Sequence, residues 1–426
     1  MTGRRRPPSS RPFRTLTGAV AAGTLLLSGC GALPGGSGDS REPVTVVTWA
    51  PGGDSAPEAA NMAGMTAMAQ AYGRWVNASG GIDGHELRVV TCDEQDTSRG
   101  AAACARRAVE EEAVAVLGSY SRHGRSFMAP LEAAGIPYIG GYGASDEEFR
   151  SYMAYPLTGG QSALMAGNAE QLSGDCDRVA LVRPDTLSGD SQAWLLRTGL
   201  TGAGRPAPLD IPAAEGATSY DKEAGRALSD AGTGGGCVTS VLGDRTETFF
   251  DSFRRLEPAG ARVRVSSVLG SVGQPLIDRT GGRNSPFEGA YVTGWYPAPG
   301  DKRWDPMRKV IREHAFGDNR IDPDDTGVQT TWIAYTALRS VVESLHEERI
   351  TAGKVTQALV KGLRVDTGGL TPRLRWRYED TLGSEAYPRI VNSKVTFQVV
   401  RDGRLVAARK GFVDVTRTLA DASATR

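Results

Sequence analysis

The strongest constraint on this chain is a rhythm. From residue 44 onward, short apolar runs alternate with stretches of helical period: "VTVVTWA", a helix over 57–77, "ELRVVTC", a helix over 97–112, "VAVLG", a helix over 125–134, then "PYIGG". Apolar runs of this kind suit strands buried on both faces, and the intervening helices supply the crossovers that parallel neighbours need. After Tyr155 and Pro156 the rhythm restarts, with a helix over 161–172, "RVALV", a helix over 189–199, a Gly-rich stretch, "CVTSVLG", a helix over 246–256, "RVRVSSVLG" and "GAYVTGW". Two βα series of similar length predict an α/β chain with two doubly wound, Rossmann-like lobes instead of one extended sheet. Helices are expected over 306–316 and 326–361, and "KVTFQVVRDGRLVAARK" predicts a hairpin turning at Asp402 and Gly403.

A length of 426 residues suits about two domains. The charge total is zero, but this hides an asymmetry: residues 1–29 hold Arg4, Arg5, Arg6, Arg11 and Arg14 and no acid. Without them 44 basic residues face 49 acidic ones, so nucleic acid is not an expected partner. The basic start, the apolar run over 16–27 and the small residues that follow predict an export signal too short to span a bilayer. Its end, Leu27-Ser28-Gly29-Cys30, is similar to the bacterial lipobox, in which the cysteine is lipidated and becomes the new N-terminus. Residues 30–43 then read as a flexible tether, holding the protein at the outer face of the membrane. Cys92, Cys104, Cys176 and Cys237 remain, an even number in an exported chain with three possible pairings. Cys92 with Cys104 and Cys176 with Cys237 is preferred, because each pair then falls within one lobe. No CxxC spacing or histidine cluster points to a metal.

In doubly wound sheets ligands gather beyond the carboxyl ends of the strands. The polar segments in that position are 49–54, 93–97, 119–125 and 141–146 in the first lobe, and 183–188, 243–248, 270–274 with Trp295 and Tyr296 in the second. The stretch "GSYSRHGRS" over 118–126 offers hydroxyls, a histidine and two arginines. It fails as a nucleophile elbow, which needs Gly-x-Ser-x-Gly, because Ser121 is followed by Arg122 and His123 before Gly124. Ligand recognition by backbone amides and a hydroxyl near a helix start is the better reading. "GTGGGC" over 232–237 precedes a strand and lacks a third spaced glycine, so it is a loop. "DPDDTG" over 322–327 has Ile333 where a calcium loop needs its bidentate glutamate, and is a turn leading into a helix. The acidic run over 110–112 is a solvated helix end.

The stretch "WVNASGGIDGHEL" over 75–87, followed by "CDEQD", "VAVLGSYS" and "APLEAAGIPYIGGYGAS", resembles a recurring pattern of the type I periplasmic binding proteins, the leucine/isoleucine/valine-binding family. Asn77 and the paired glycines suit a helix end and turn, and Asp83-Gly84 a tight reversal. The resemblance implies a clamshell of two lobes joined by three crossover strands near Tyr155, Trp295 and Thr371. Lobe 1 would comprise 44–156 with 296–371 and lobe 2 157–295 with 372–412, leaving a C-terminal tail over 413–426. It further implies ligand contacts at Ser119, Tyr120, Ser121 and Arg122, at Ala144 and Ser145, and in lobe 2 at Leu187, Arg245, Thr246, Gly270 or Ser271. Tyr142, Trp295 and Tyr296 would form stacking walls. The Gly270 loop lacks an acid and Leu187 stands at a usually polar place, which argues against a standard α-amino acid; Arg122 and Arg245 would favour an anion.

The function so implied is capture of a small polar metabolite, an amino acid, amide or related organic acid, by a lipid-anchored monomer that presents its closed form to the permease of an ABC importer, without cofactor or catalysis. The alternatives are a ligand sensor acting on a membrane signalling partner and an extracytoplasmic α/β enzyme.

Overall fold

The computed structural model describes residues 41–52, 62–232, 234–258 and 263–424. The expected export signal, Cys30, the tether up to residue 40 and the start of the helix expected at 57 lie outside the described residues.

The first series builds an all-parallel sheet of order β2-β1-β3-β4-β5. Its strands are β1 (Arg41–Ala50), β2 (His85–Asp93), β3 (Ala115–Leu117), β4 (Tyr138–Ile139) and β5 (Ala154–Tyr155). Helices α1 (Ala63–Ala78), α2 (Ser98–Glu110), α3 (Gly124–Ala134) and the single turn α4 (Glu147–Arg150) connect them. Strand β1 is buried on both faces, as a central parallel strand must be: Val44 and Val46 enter one apolar cluster, Val47 and Trp49 the other. It begins at Arg41, three residues before the expected start at Val44. Arg41 is held there by an ion pair with Asp83 and by pairing with His85.

The second series gives α5 (Gly160–Ser173), β6 (Arg178–Pro184), α6 (Leu187–Gly202), β7 (Leu209–Ala213), α7 (Asp221–Ala231), β8 (Gly236–Ser240), α8 (Thr246–Leu256), β9 (Arg264–Val268), α9 (Gln274–Arg279) and β10 (Tyr291–Gly294). Strand β7 and helix α7 fill what the sequence reading left as a glycine-rich stretch. The chain then returns to the first sheet with α10 (Asp305–His314), α11 (Thr326–Leu345) and α12 (Ala352–Val360), where α11 packs on α1 and β3. The single helix expected over 326–361 is two helices, because His346 takes the left-handed conformation and ends α11.

Finally β11 (Lys394–Arg401) and β12 (Arg404–Ala407) form the expected hairpin, with Asp402 and Gly403 both at positive φ. They complete a second sheet of order β12-β11-β10-β9-β8-β6-β7, with β11 antiparallel to β10. The stretch expected as a tail forms β13 (Val413–Asp414), paired to β11, and α13 (Thr416–Ala424), whose Leu419 and Ala422 are buried against α5 and α6.

The three passages between the sheets are fastened to one another. Trp376 donates its indole N–H to the carbonyl of Pro156 at 2.9 Å, Asn392 its amide to Leu157 at 2.9 Å, and Arg389 to Ala154 at 2.9 Å. Thr396 and Gln398 of β11 donate to the carbonyl of Tyr296 at 2.7 and 3.0 Å. Disulfides join Cys92 to Cys104 and Cys176 to Cys237, each within one lobe.

Candidate functional site

Each sheet reverses its strand order once, between β1 and β3 and between β6 and β8, and the crevice beyond the carboxyl ends of such strands is where a doubly wound sheet can hold a ligand. In lobe 1 the first loop is stitched tightly. The Ser119 hydroxyl, fully buried, accepts the Trp49 N–H at 3.0 Å and donates to the Leu117 carbonyl at 3.0 Å. Ser121, also fully buried, accepts the His123 N–H at 3.1 Å and donates to Glu94 Oε2 at 3.2 Å. The hydroxyl of Ser121 is therefore committed to a carboxylate and not to the His123 ring, whose Nδ1 lies 3.2 Å from Ser98 Oγ. Arg122 grips both carboxylate oxygens of Asp96, with Nε at 3.0 Å from Oδ1. Beneath the loop, Thr331 of α11 donates to the Gly118 carbonyl at 3.0 Å.

The second lobe 1 loop is organised by Glu148. Its carboxylate accepts the N–H groups of Gly143, Ala144 and Ser145 at 3.0, 2.9 and 3.1 Å, and the Ser145 hydroxyl at 3.3 Å. Successive amides turned to one side form an anion nest, which here is filled from within. The backbone donors of Ala144 and Ser145 are thus engaged by the protein itself. Glu148 is 2% exposed, and burial pushes its carboxyl up to about 7 in spite of these bonds. Burial likewise lifts Glu94 to about 7.

Between the lobes stands a ladder of rings. Tyr120 packs on Tyr142 with centroids 5.3 Å apart, and Tyr142 meets Trp295 edge-on at 5.4 Å. Trp295 is held by donation to the Gly160 carbonyl at 2.9 Å, and the Tyr296 hydroxyl pairs with Thr330 Oγ1 at 3.0 Å. Gly270, after β9, lies opposite: a Cβ there would stand 3.2 Å from the Tyr142 hydroxyl, and its φ is +89°. On the lobe 2 side, Thr246 and Ser271 are buried, accepting the N–H of Leu242 and of Gly243 at 3.0 Å each. Arg245 is exposed at the start of α8, beside Asp244, whose carboxyl is raised by burial and faces the charges of Arg279, Arg122 and Arg245. Leu187, the first residue of α6, is 86% exposed.

The loops marked from sequence do lie at the carboxyl ends of strands, with Glu94 inside the segment 93–97 and Gly270 inside 270–274, whereas Glu148, just past the segment 141–146, was not singled out. Glu148 was signalled by Ser145-x-x-Glu148, the capping-box spacing, and Glu94 by standing directly after a strand. Among the described residues no group of three metal-ligating side chains occurs, and no helix is long and apolar enough to cross a membrane. Two surface hollows, of about 650 and 330 Å3, lie away from these loops, beside Asp221 and Arg226 and beside Glu42 and Arg349.

Two doubly wound lobes, three crossings and facing half-sites define a binding protein of the clamshell type. A family model described as periplasmic binding protein matches residues 51–388, and the chain belongs to that family, in its type I, leucine/isoleucine/valine-binding form. The family is one of solute-binding proteins and implies an extracytoplasmic place. No curated protein sequence matches the chain. Solved structures of similar fold include a solute-binding protein of an R. palustris ABC transporter in complex with 4-hydroxybenzoate, at 14% identity and TM-score 0.69, covering 88% of this chain and 97% of that one. A branched-chain amino acid ABC transporter protein from Thermus thermophilus with bound valine is 16% identical with TM-score 0.68, covering 89% and 99%. A fatty acid ABC transporter substrate-binding protein from Thermomonospora curvata is 13% identical with TM-score 0.65, covering 88% and 94%.

Proposed function

We propose that this protein captures a small polar solute between its lobes and delivers it to the permease of an ABC importer, anchored outside the cell membrane through lipid on Cys30. The observation that carries the reading is the meeting of Tyr142, just after β4 of the first lobe, with Gly270 and Trp295, just after β9 and β10 of the second, at the carboxyl ends of strands in both sheets. Closure of that crevice is a shift between two arrangements of rigid lobes about the fastened crossings, and a solute favours the closed one by touching both sides.

Ser119, Ser121, Thr246 and Ser271 are buried and bonded within the protein, so their part is to shape the loops. Contact with solute falls to Tyr120, Tyr142 and Trp295 as walls, with Arg122, Arg245 and Leu187 at the rim. The internally filled nest at residues 143–145 leaves Ala144 and Ser145 to contribute shape and not amide donors. A standard α-amino acid, whose carboxylate needs such donors, is therefore the less favoured solute, and a neutral amide with an aromatic body the more favoured.

A thermal-shift panel of amino acids, amides, polyamines and aromatic acids tests the reading. A rise in melting temperature with no chemical change in the added compound supports it; conversion of the compound, abolished by Ser121→Ala, would refute it. Lipid attachment is tested separately, by palmitate labelling that Cys30→Ala should abolish.

A further inference from the structure

Among the described residues three buried polar atoms lie without hydrogen-bond partners on one side of the first sheet, the His123 Nε2 and, of opposite kind, an indole N–H and a carboxylate oxygen. Trp49 and Glu94 are both fully buried, yet the indole N–H of Trp49 and Oε1 of Glu94 have no hydrogen-bond partner among the described residues. They belong together: Trp49 pairs in register with Cys92 on β2, and Glu94 follows two residues later on the same face, where side chains alternate. Ser121 already donates to the other oxygen of Glu94, and its own lone pair takes the His123 N–H, so Oε2 is an acceptor and Oε1 is the oxygen left over. A buried donor and a buried acceptor left unmade each keep their desolvation cost uncompensated, the more so for a charged group. Tyr120, lying between Ser119 and Ser121 and within the field of Glu94, connects this corner to the ring ladder of Tyr142 and Trp295.

We propose that Glu94 is the residue that selects the solute: its unpartnered oxygen takes an N–H from a carboxamide on a planar body, and the carbonyl of that group takes the indole N–H of Trp49. One amide satisfies both orphan atoms with Glu94 ionised, which a carboxylate, having no N–H, does not; a carboxylate would need Glu94 protonated and so would bind better at low pH, the opposite trend. The planar body lies against Tyr120, Tyr142 and Trp295. This deepens the solute-binding reading and rests on it.

The ionised form of Glu94 is the one that needs the N–H, so binding releases a proton from a carboxyl that burial holds at about 7. The groups facing it are Asp96 on its own loop, itself paired to Arg122, then His123 and Tyr120 after β3, and Tyr138 on β4. Only the ionised fraction binds, so affinity should rise about tenfold from pH 6 to pH 8.

The test uses the full chain with benzamide and benzoate as probes, by calorimetric titration at pH 6, 7 and 8. Expected are binding of benzamide that tightens with pH, no comparable binding of benzoate, loss of the pH dependence in Glu94→Gln, and weaker binding at every pH in Trp49→Phe with the slope retained. A slope due to His123 would survive in Glu94→Gln and would overturn the assignment. So would benzoate binding as tightly as benzamide, or neither probe binding. Should Glu94→Gln not fold, the wild-type slope and the comparison of probes still decide. If some other panel compound stabilises the protein while benzamide does not bind, this inference fails and solute binding stands; if nothing in the panel stabilises it, the broader reading fails.

Discussion

Glu148 does for the 143–145 loop what a bound anion does for a nest elsewhere, and its burial makes the arrangement sensitive to pH. Its carboxyl, at 4.5 when unfolded, is raised to about 7 by desolvation, which outweighs the amide bonds. The folded state thus binds the proton more tightly, so this contribution is full below pH 4.5 and is lost as pH rises through 7, on the order of 3 kcal/mol. Glu94 acts in the same sense. Melting temperature measured from pH 4.5 to 7.5 should fall, and Glu148→Gln should make the decline shallower. Gly270 offers a second prediction. Alanine there is strained at a φ of +89° and brings a methyl 3.2 Å from the Tyr142 hydroxyl. Gly270→Ala should destabilise the protein by about 1 kcal/mol or more and weaken solute binding; adding Tyr142→Phe should restore part of the binding, read by titration, but not the stability, read by denaturation. The position of the candidate loops was legible residue by residue: 119–122, Tyr142 and Trp295 follow β3, β4 and β10, as the strand ends predicted. What was not legible is which donors remain free. Ser121 and Ser145 look alike as exposed polar loop residues in sequence, and only the fold brings Glu94 and Glu148 beneath them.

At the level of elements, the sequence was readable where burial is two-sided and unreadable where it is slight. Strand β1, apolar on both faces, was unmistakable. Strand β7 is an edge strand that tolerates Pro212, and α7, which buries Ala224, Ala227 and Ala231 at helical spacing, lies between glycines and prolines that read as loop. The two disulfides differ in what they close. Cys92–Cys104 spans 12 residues, within one strand-to-helix connection, whereas Cys176–Cys237 spans 61 and ties the approach to β6 to β8. Loop-closure entropy gives about 3 kcal/mol for the first and about 4 kcal/mol for the second. Replacing both cysteines of the longer pair by alanine should therefore lower the melting temperature more than replacing the shorter pair, by calorimetry at equal pH. Thr186, whose hydroxyl accepts the Gly189 N–H at 3.1 Å, caps α6 at the rim; Thr186→Ala should cost about 1 kcal/mol in chemical denaturation.

For the whole molecule, the fastened crossings let the lobes move as units, so a solute that touches both should stabilise both. At a hundred times its dissociation constant it adds about 2.7 kcal/mol, and solution scattering should show a smaller radius of gyration with the solute than without it. Each lobe is finished by a segment that follows the other lobe's main series in the chain. Lobe 1 waits for α10, α11 and α12, made only after the parallel strands of lobe 2, and lobe 2 in turn waits for β11 to α13. Neither half can close its core while the chain is still emerging in order. A chain so interleaved completes neither lobe from one contiguous segment, so a fragment ending at residue 295 is expected to lack a cooperative unfolding transition.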